Sequence, residues 1–445
     1  MMNNIFEKSK FVFDILELNG FECYAVGGCV RDMLLGIAPH DIDFTTNATP
    51  DEILSCFKDY NTFELGKKFG TISVLHEDII YEITTYRIDG QYLDGRHPDG
   101  VTFSRNLRDD LSRRDFTINA MAMDKSGTVV DLFSGKSDLR NKLIRTVGKP
   151  QDRFTEDALR IFRALRFSAK LGFDIETCTA EACHKLSHLL KKVHPQRMQD
   201  ELSGLMMSPN PAHILSEYKD VIGVIIPELL QTFDFAQNTP HHRYDVYTHI
   251  INSLFYSPVD LVIRLALLFH DIAKPLCHTV DKCNLSHFKG HPIKSAEISA
   301  EILKRFGYPK DIVNRVYLLI KYHDVRFEKP RKHIKKLLAE LGVEDFRRLM
   351  FIQRCDILAQ SEYRRNDKIE LIDNIENLFD EILVENPCLK ITDLDINGKD
   401  IMSLGASGKL VGDTLSYLLD MVISEKLENN KEILITAAKA YLDLH

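Results

Sequence analysis

The chain has 445 residues, of which 44% are hydrophobic and 27% charged, as in ordinary globular proteins, and this length predicts two to four domains. No stretch approaches about 18 uncharged apolar residues, and the nine scattered cysteines lack a CxxC pair, so we expect no membrane contact, reduced thiols and a cytoplasmic location. The net charge of −8 argues against indiscriminate nucleic-acid binding. Two basic segments are the exception: residues 142–200 have 12 Lys or Arg against 7 Asp or Glu, and residues 304–348 have 13 against 6. They are candidate RNA-binding faces, with solvated helix faces as the alternative.

A strand, a glycine turn and a helix follow a first predicted helix over residues 5–19. The apolar residues 24–26 run into Gly27 and Gly28, after which apolar residues repeat at helical spacing. Two glycines permit positive φ and a close approach of the backbone, and a helix start presents unpaired N–H groups. With Arg31 nearby, the turn is predicted to bind a triphosphate.

Two aspartates, Asp41 and Asp43, come next. Residues two apart in an extended strand project from the same face, so both carboxylates are expected to point one way. Close like charges are unfavourable unless a cation joins them, and hard oxygen ligands suit Mg²⁺. We therefore expect Asp41 and Asp43 to be catalytic ligands of two Mg²⁺ ions, which would activate an attacking hydroxyl and stabilise a pyrophosphate leaving group. Two solvated aspartates in a surface turn are the alternative.

The order of these residues carries a resemblance. The pattern of glycines, Arg31, Asp41 and Asp43 is similar to the first signature of the nucleotidyltransferases that include the bacterial class II CCA-adding enzymes and the poly(A) polymerases. Further motifs support this resemblance over residues 1–210, and more weakly to the C-terminus.

The rest of the first domain is predicted to be a small sheet with flanking helices. Thr49 and Pro50 predict an N-cap and a first helical turn, and residues 71–75 and 79–86 predict strands. Residues 87–100 contain several glycine turn signals and predict a mobile loop. The resemblance implies that this loop moves when the active site switches nucleotide.

Residues 113–120, RRDFTINA, are similar to the second signature of the family. The resemblance implies that Arg114 contacts a phosphate or ribose, and that Asp115 and Asn119 accept hydrogen bonds near a ribose hydroxyl. An ordinary ion pair between Arg114 and Asp115 is the alternative.

The string EDALRIFRALRF predicts one helix with Thr155 as its N-cap. Asp157 and Arg160 are three apart and are expected to lie side by side. A carboxylate accepts hydrogen bonds and a guanidinium donates them, so the pair matches the amine and ring acceptor of cytosine and adenine and rejects guanine and uracil. This protein template for CTP and ATP agrees with the EDxxR motif of the resemblance, in which Arg163 and Arg166 extend the row toward the triphosphate or the RNA end. A solvated intrahelical salt bridge is the alternative.

Residues 142–230 are predicted to be helical, with Arg197 and Glu201 forming an ion pair four residues apart. Farther along, imidazole and carboxylate groups from separate helices suit Ni, Fe, Mn or Mg. They resemble an HD-domain phosphohydrolase core and form a candidate second site for a divalent metal. The best matches are His249, His270, Asp271 and Asp356, with His287, His291, His323 and Asp324 nearby.

The predicted fold class is α+β, with a mixed nucleotidyltransferase head followed by a mostly helical neck, body and tail. Four domains are expected: a catalytic head at 1–141, a nucleotide-selecting and RNA-binding neck at 142–235, an HD-type helical domain at 236–360, and a helical tRNA-binding body and tail at 361–445.

The resemblance implies template-independent addition of C, C and A to the 3′ end of tRNA from CTP and ATP, with release of pyrophosphate. Three alternatives stay open: an enzyme that adds only the terminal A, or a poly(A) polymerase; an HD phosphohydrolase with a vestigial head; and a non-catalytic tRNA-binding protein. The oligomeric state is left open.

Overall fold

A computed structural model describes residues 4–90, 100–385 and 387–444. The chain forms two compact units, Met1–Pro227 and Glu228–His445. Within each unit, the predicted borders at 141/142 and 360/361 stay predictions. All nine cysteines are free. Across the described residues, none of the helices combines the length and the apolarity that crossing a bilayer requires.

The first unit is built on a mixed seven-stranded sheet. The strands of this sheet come from both ends of the head sequence. A hairpin (two strands) and a parallel pair (two strands) are separate from it, which gives eleven described strands in this unit. The strands are β1 (Cys23–Val26), β2 (Asp43–Thr46), β3 (Asn61–Phe63), β4 (Thr71–His76), β5 (Ile79–Thr85), β6 (Arg87–Asp89), β7 (Val101–Phe103), β8 (Met121–Met123), β9 (Val129–Asp131), β10 (Leu143–Ile144) and β11 (Asp174–Ile175).

Strand order in this sheet is β3-β4-β5-β2-β1-β8-β9. Only the β2–β5 pair is parallel among its described pairings, and it sets Asp43 opposite Glu82. On the other side of β2, antiparallel pairing sets Asp43 opposite Val26, the last residue before the glycine turn. The register therefore brings the turn and the carboxylates to the same end of the central strands.

The described part of the first unit also contains eleven α-helices, some packed on the sheet and others on one another. They are α1 (Asn4–Leu18), α2 (Gly28–Leu34), α3 (Pro50–Cys56), α4 (Leu107–Ser112), α5 (Gly135–Arg140), α6 (Pro150–Glu156), α7 (Leu159–Leu171), α8 (Thr177–Leu186), α9 (Pro195–Met206), α10 (Pro211–Glu217) and α11 (Lys219–Ile225).

Aromatic side chains join α1 to the sheet. Phe13 of α1 meets Phe44 of β2 edge to face with ring centroids 5.1 Å apart, and Phe11 meets Tyr81 of β5 at 5.2 Å. Such T-shaped pairs add stability beyond the apolar area they bury. This core anchors β2 and β5, the two strands that carry Asp43 and Glu82.

Several predicted elements are confirmed. Thr49 caps α3 through a capping box with Glu52, and Pro50 is its first residue. The strand predictions at 71–75 and 79–86 correspond to β4 and β5. Of the predicted loop at 87–100, the first three residues form β6, and residues 91–99 lie outside the described part of the chain.

The second unit is almost entirely helical. Its first six described α-helices pack on one another, and its last three have their own apolar core around Ile401, Leu418 and Leu434. The elements are α12 (Val246–Phe255), α13 (Leu261–Phe269), β12 (Thr279–Val280), β13 (Ser286–His287), α14 (His291–Arg305), α15 (Lys310–Tyr322), α16 (Pro330–Ala359), α17 (Arg365–Val384), α18 (Gly398–Ser403), α19 (Lys409–Ile423) and α20 (Lys431–Leu442).

One helix of this unit is broken in the middle. Gly342 of α16 has φ +76°, a left-handed conformation that glycine adopts without steric cost, and the helix kinks there. With a mixed sheet in the first unit and helices elsewhere, the predicted α+β class is confirmed.

Candidate active site

The glycine turn after β1 is shaped for a close approach. Gly27 has φ +86°, and a Cβ placed on it would lie 3.1 Å from Nη1 of Arg114. Glycine therefore satisfies both the backbone conformation and the space that the arginine occupies. Gly28 begins α2 directly after it, as the sequence predicts.

Three carboxylates gather beside this turn. Asp43 begins β2, whereas Asp41 precedes the strand, so the prediction that both lie in one extended strand is wrong for Asp41. Loss of solvent around Asp43, and then the negative charges of Asp41 and Glu82, raise its pKa to about 6 against the opposing charge of Arg114. Glu82 was missed by sequence reasoning. The alternating pattern of β5 places Glu82 on one face of that strand, but only the β2–β5 register shows that Glu82 lies beside β2.

The two arginines of the predicted triphosphate site differ in their surroundings. Nη2 of Arg114 donates to Oδ2 of Asp110 at 3.2 Å, and its Nε has no hydrogen-bond partner among the described residues. Arg31 is buried, and it donates to Oδ1 of Asn119 at 2.7 Å and to Oδ1 of Asp32 at 2.8 Å. The structure therefore places Arg114 beside the carboxylates, whereas Arg31 is buried and bonded to neighbouring side chains.

A buried ionic network links the second signature to α7. Asp115 accepts hydrogen bonds from Asn119 at 3.2 Å and from Nε of Arg163 at 2.9 Å. Burial favours the neutral carboxyl, but Arg163 and Asn119 outweigh it and lower the pKa of Asp115. Arg163 is also 3.3 Å from Glu201. The alternative of an ordinary ion pair between Arg114 and Asp115 does not hold, because Asp115 pairs with Arg163 of α7 instead.

Glu201 joins two arginines of α7. It accepts from Nε of Arg166 as well as from Arg163, and both guanidinium groups lie over the ring of Phe167, at 4.4 Å and 5.3 Å from its centroid. The predicted pair between Arg197 and Glu201 is therefore wrong. Because α9 packs on α7, Arg163 and Arg166 are the arginines that contact Glu201, and Arg197 has a different partner.

The predicted single helix around Asp157 is also wrong. Helix α6 ends at Glu156, Asp157 is extended at φ −139°, and α7 begins at Leu159. Asp157 accepts the N–H of Leu159 at 3.1 Å, because an aspartate next to a helix start satisfies an unpaired backbone donor. Thr155, the predicted N-cap, lies inside α6 and donates to a carbonyl one turn earlier.

Asp157 and Arg160 each have fixed partners. Both carboxylate oxygens of Asp157 accept from Arg197, at 3.2 Å and 2.6 Å. Arg160 donates to Glu156 at 2.7 Å and to the backbone oxygen of Arg113 at 2.9 Å. The two residues are less than 10% exposed, and their partners hold them next to the RRDF motif.

A second cluster lies in the second unit and contains the four best-matched candidate ligands. His249 Nε2 is 2.8 Å from Oδ1 of Asp356 and 3.3 Å from Oδ2 of Asp271, and His270 Nε2 is 3.3 Å from that same Oδ2. Burial lowers the pKa of His270, but Asp271 and Asp356 outweigh it and raise the pKa to about 10.

Two further histidines belong to this cluster and one does not. His291 and His323 lie 3.1 Å and 3.6 Å from Oδ1 of Asp271. His287 is exposed on β13 and binds Asp281 at 2.9 Å, so its predicted place among the ligands is wrong. The useful signal was helix position, since His291 begins α14 and His323 follows α15.

Comparison with known proteins gives consistent matches along the chain. Three family profiles match: the Poly A polymerase head domain at residues 23–145, the probable RNA and SrmB-binding site of polymerase A at 172–229, and the putative tRNA nucleotidyltransferase domain 2 at 296–438. The first covers the glycine turn and the carboxylates.

Individual relatives agree with these profiles. The CCA-adding enzyme of Ligilactobacillus salivarius is 32% identical over 441 residues, which cover 98% of this chain and 97% of that protein. The CCA-adding enzyme of Oceanobacillus iheyensis is 44% identical over 238 residues, 54% of this chain and 58% of that protein.

Solved structures have the same architecture. The crystal structure of the Bacillus stearothermophilus CCA-adding enzyme in complex with CTP matches with a TM-score of 0.71 and 25% identity, over 99% of this chain and 98% of that one. Sequence identity over nearly the full length, together with this fold, shows the family. The chain belongs to the class II CCA-adding enzymes, a family of tRNA nucleotidyltransferases.

Proposed function

We propose that this chain adds C, C and A to the 3′ end of tRNA from CTP and ATP, with release of pyrophosphate. The observation that carries the proposal is the group of Asp41, Asp43 and Glu82, which faces Arg114 beside the glycine turn. Carboxylates grouped beside a glycine turn at a helix start suit metal-assisted nucleotidyl transfer. The relatives of this chain are CCA-adding enzymes, and one was solved with CTP.

The carboxylate group fits divalent metal ions. The raised pKa of Asp43 results first from lost solvent and then from negative charge that Arg114 does not compensate, and cations would remove the penalty for that charge. Carboxylate oxygens are the donors that Mg²⁺ prefers, so we propose that Asp41 and Asp43 hold two Mg²⁺ ions, with Glu82 adjacent. When bound, such ions neutralise phosphate charge and lower the pKa of an attacking hydroxyl.

The triphosphate is proposed to bind at Gly28 and Arg114. The backbone after Gly27 can approach phosphate oxygens closely, and Nε of Arg114 is a donor without a partner among the described residues. Arg31 supports this site indirectly, because its buried guanidinium donates hydrogen bonds to Asn119 and Asp32. A fixed donor set favours the in-line geometry that phosphoryl chemistry requires.

Base selection is proposed for Asp157 and Arg160. A guanidinium has five N–H donors, and the bonds of Arg160 to Arg153, Glu156 and Arg113 use three of them. A carboxylate offers about four acceptor positions, and Asp157 uses three for Leu159 and Arg197 within the described chain. The remaining acceptor and donors match the amine and ring nitrogen that cytosine and adenine share.

Arg163 and Arg166 are proposed to position this template. Because they bind Asp115 and Glu201, these arginines hold α7 against the RRDFTINA motif. Only their remaining guanidinium N–H groups would contact the triphosphate or the RNA end. The tRNA substrate and the nine free cysteines fit the proposed cytoplasmic location.

The test is nucleotide addition to defined tRNA ends. With Mg²⁺, transcripts that lack CCA should grow by C, C and A when CTP and ATP are present, and transcripts that end in CCA should not grow. UTP and GTP should not be incorporated. Asp41→Ala should abolish addition, whereas Asp59→Asn, at an exposed aspartate of the same unit, should not change it.

Other outcomes would identify the alternatives. Addition of the terminal A alone would move the chain to the partial enzymes, and continued growth with ATP would indicate a poly(A) polymerase. Equal activity of Asp41→Ala and the parent would refute the assignment of the catalytic carboxylates.

A further inference from the structure

We propose that Asp110 is a positioning residue for nucleotide binding, whose single buried carboxylate orients both the triphosphate arginine and the base-reading arginine. It acts on Arg114 directly, and on Arg160 through the backbone of Arg113. This inference rests on the nucleotide site proposed above, and it assigns Asp110 no contact with the nucleotide itself.

The carboxylate of Asp110 is buried and surrounded by donors. Asp110 lies in α4 with an exposed fraction of 0%. Nε and Nη2 of Arg113 donate to its Oδ1 at 2.9 and 2.7 Å, and Nη2 of Arg114 donates to its Oδ2 at 3.2 Å. Oγ1 of Thr45 in β2 also lies 3.2 Å from Oδ2. A carboxylate offers about four acceptor positions, so these contacts fill it.

The two arginines keep this buried carboxylate ionised. Burial alone would raise the pKa of Asp110, but the charges and hydrogen bonds of Arg113 and Arg114 outweigh burial and lower the pKa. At neutral pH, Asp110 therefore only accepts, and it binds both guanidinium groups at once.

Asp110 holds one edge of the Arg114 guanidinium and leaves the rest for a phosphate. With Nη2 bound to Asp110, Nη1 lies beside Gly27, where an added Cβ would be 3.1 Å away. Nε has no hydrogen-bond partner among the described residues. A guanidinium that is already held in place loses less freedom when a phosphate binds, so the contact with Asp110 favours binding of the triphosphate.

The same carboxylate secures the backbone that Arg160 binds. Because Asp110 and Arg113 are three residues apart, the arginine side chain folds back along α4 to the carboxylate. The backbone oxygen of Arg113 accepts from Nη2 of Arg160 at 2.9 Å, and that of Ser112 accepts from Nη1 of Arg153 at 3.1 Å. The end of α4 thus binds two arginines of the neck, and Asp110 fixes that end.

Asp110→Asn tests this arrangement with almost no change of shape. An asparagine side chain has one acceptor oxygen and one NH₂ group, so one of the two arginines would face a donor, and the negative charge would be lost. Asp109→Asn is the matched control. Asp109 is the preceding residue of α4, and its carboxylate accepts from the hydroxyl of Ser104 at 2.6 Å.

The experiment is ligand binding to the full chain by isothermal titration with Mg²⁺, which needs neither tRNA nor turnover. Inorganic tripolyphosphate is the probe for the triphosphate position, and the ratio of the dissociation constants of CTP and UTP is the probe for base reading. Asp110→Asn should weaken tripolyphosphate binding about tenfold, and it should reduce the preference for CTP over UTP about fivefold. Asp109→Asn should change neither quantity.

Two further variants distinguish positioning from a general loss of structure. Arg114→Gln should weaken tripolyphosphate binding by itself, and adding Asp110→Asn should weaken it by less than about twofold more, because both act through one guanidinium. A purely structural role would make the two effects multiply. Arg113→Lys keeps the charge but loses the guanidinium fork, so it should reduce the preference for CTP and leave tripolyphosphate binding unchanged.

The proposal is overturned if Asp110→Asn, folded by circular dichroism, binds tripolyphosphate and CTP as the parent does, or if its effect multiplies with that of Arg114→Gln. Should Asp110→Asn not fold, Arg113→Lys decides, and an unchanged preference for CTP overturns the proposal. A parent that binds CTP but adds no nucleotide to tRNA would refute the proposed function alone, since the binding measurements still decide the role of Asp110.

Discussion

Replacing Asp43 by Asn tests the electrostatics of the carboxylate group directly. Its pKa rises from 3.8 to about 6 because of lost solvent and the charges of Asp41 and Glu82. A shift of about two pKa units corresponds to about 3 kcal/mol. Although its surroundings exclude part of the solvent, Asp43 still has an exposed surface, and screening there reduces this penalty to about 1 kcal/mol. Asp43→Asn should therefore stabilise the metal-free protein by about 1 kcal/mol at pH 7.5.

The sign follows from the raised pKa. Below the unfolded pKa, both states of Asp43 are protonated and the variant should gain nothing. Between the two pKa values only the unfolded state releases its proton, and this favours unfolding increasingly up to the folded pKa, so the gain should grow between about pH 4 and pH 6 and stay constant above.

Urea unfolding in EDTA at pH 4.5 and pH 7.5 measures this gain. Added Mg²⁺ should stabilise the parent but not the variant, since the cation removes the same repulsion. Asp59→Asn, an exposed aspartate, is the control and should behave as the parent. A gain that is equal at both pH values, or equal stabilisation of parent and variant by Mg²⁺, would refute the reasoning.

Three further substitutions probe the rest of the site. Gly27→Ala should cost about 1–2 kcal/mol of stability and raise the KM for CTP, because it strains a positive φ and crowds Arg114. Glu201→Gln should lower the free energy of unfolding by about 3 kcal/mol, since it leaves the partly buried Arg166 without its carboxylate and removes one of the two that Arg163 contacts. Arg197→Gln should increase incorporation of UTP and GTP relative to CTP by about tenfold. Arg197 orients the Asp157 carboxylate, and the substitution frees that carboxylate.

Each of these substitutions has a matched control. Gly127→Ala introduces the same strain at φ +86° in open space and should leave the KM unchanged. Glu217→Gln changes an exposed glutamate and should be neutral in urea unfolding. Arg140→Gln should leave nucleotide choice unaltered in competition assays. If Arg197→Gln keeps the parent's choice of nucleotide, the proposed role of Asp157 fails.

Local spacing was enough to predict the glycine turn, α3 and its cap, and the strands at 71–75 and 79–86. In each case, residues a few positions apart determine the structure: Gly27 needs its own φ, and Thr49 and Glu52 satisfy each other's backbone. The association of Asp41 with Asp43 is local in the same way. Residues 24–46 were therefore enough to predict a site with a glycine turn and paired carboxylates.

Packing and register decided everything that joins distant residues. Glu82 meets Asp43 only through the parallel β2–β5 pair. Glu201 binds Arg163 and Arg166 instead of Arg197, and Asp157 leaves the helix to bind Arg197, because α9 packs on α7. Likewise, Asp271 joins His291 and His323 across separate helices. Helical spacing predicts which residues share a face, but the strongest partner of a buried charge comes from whichever element packs against it.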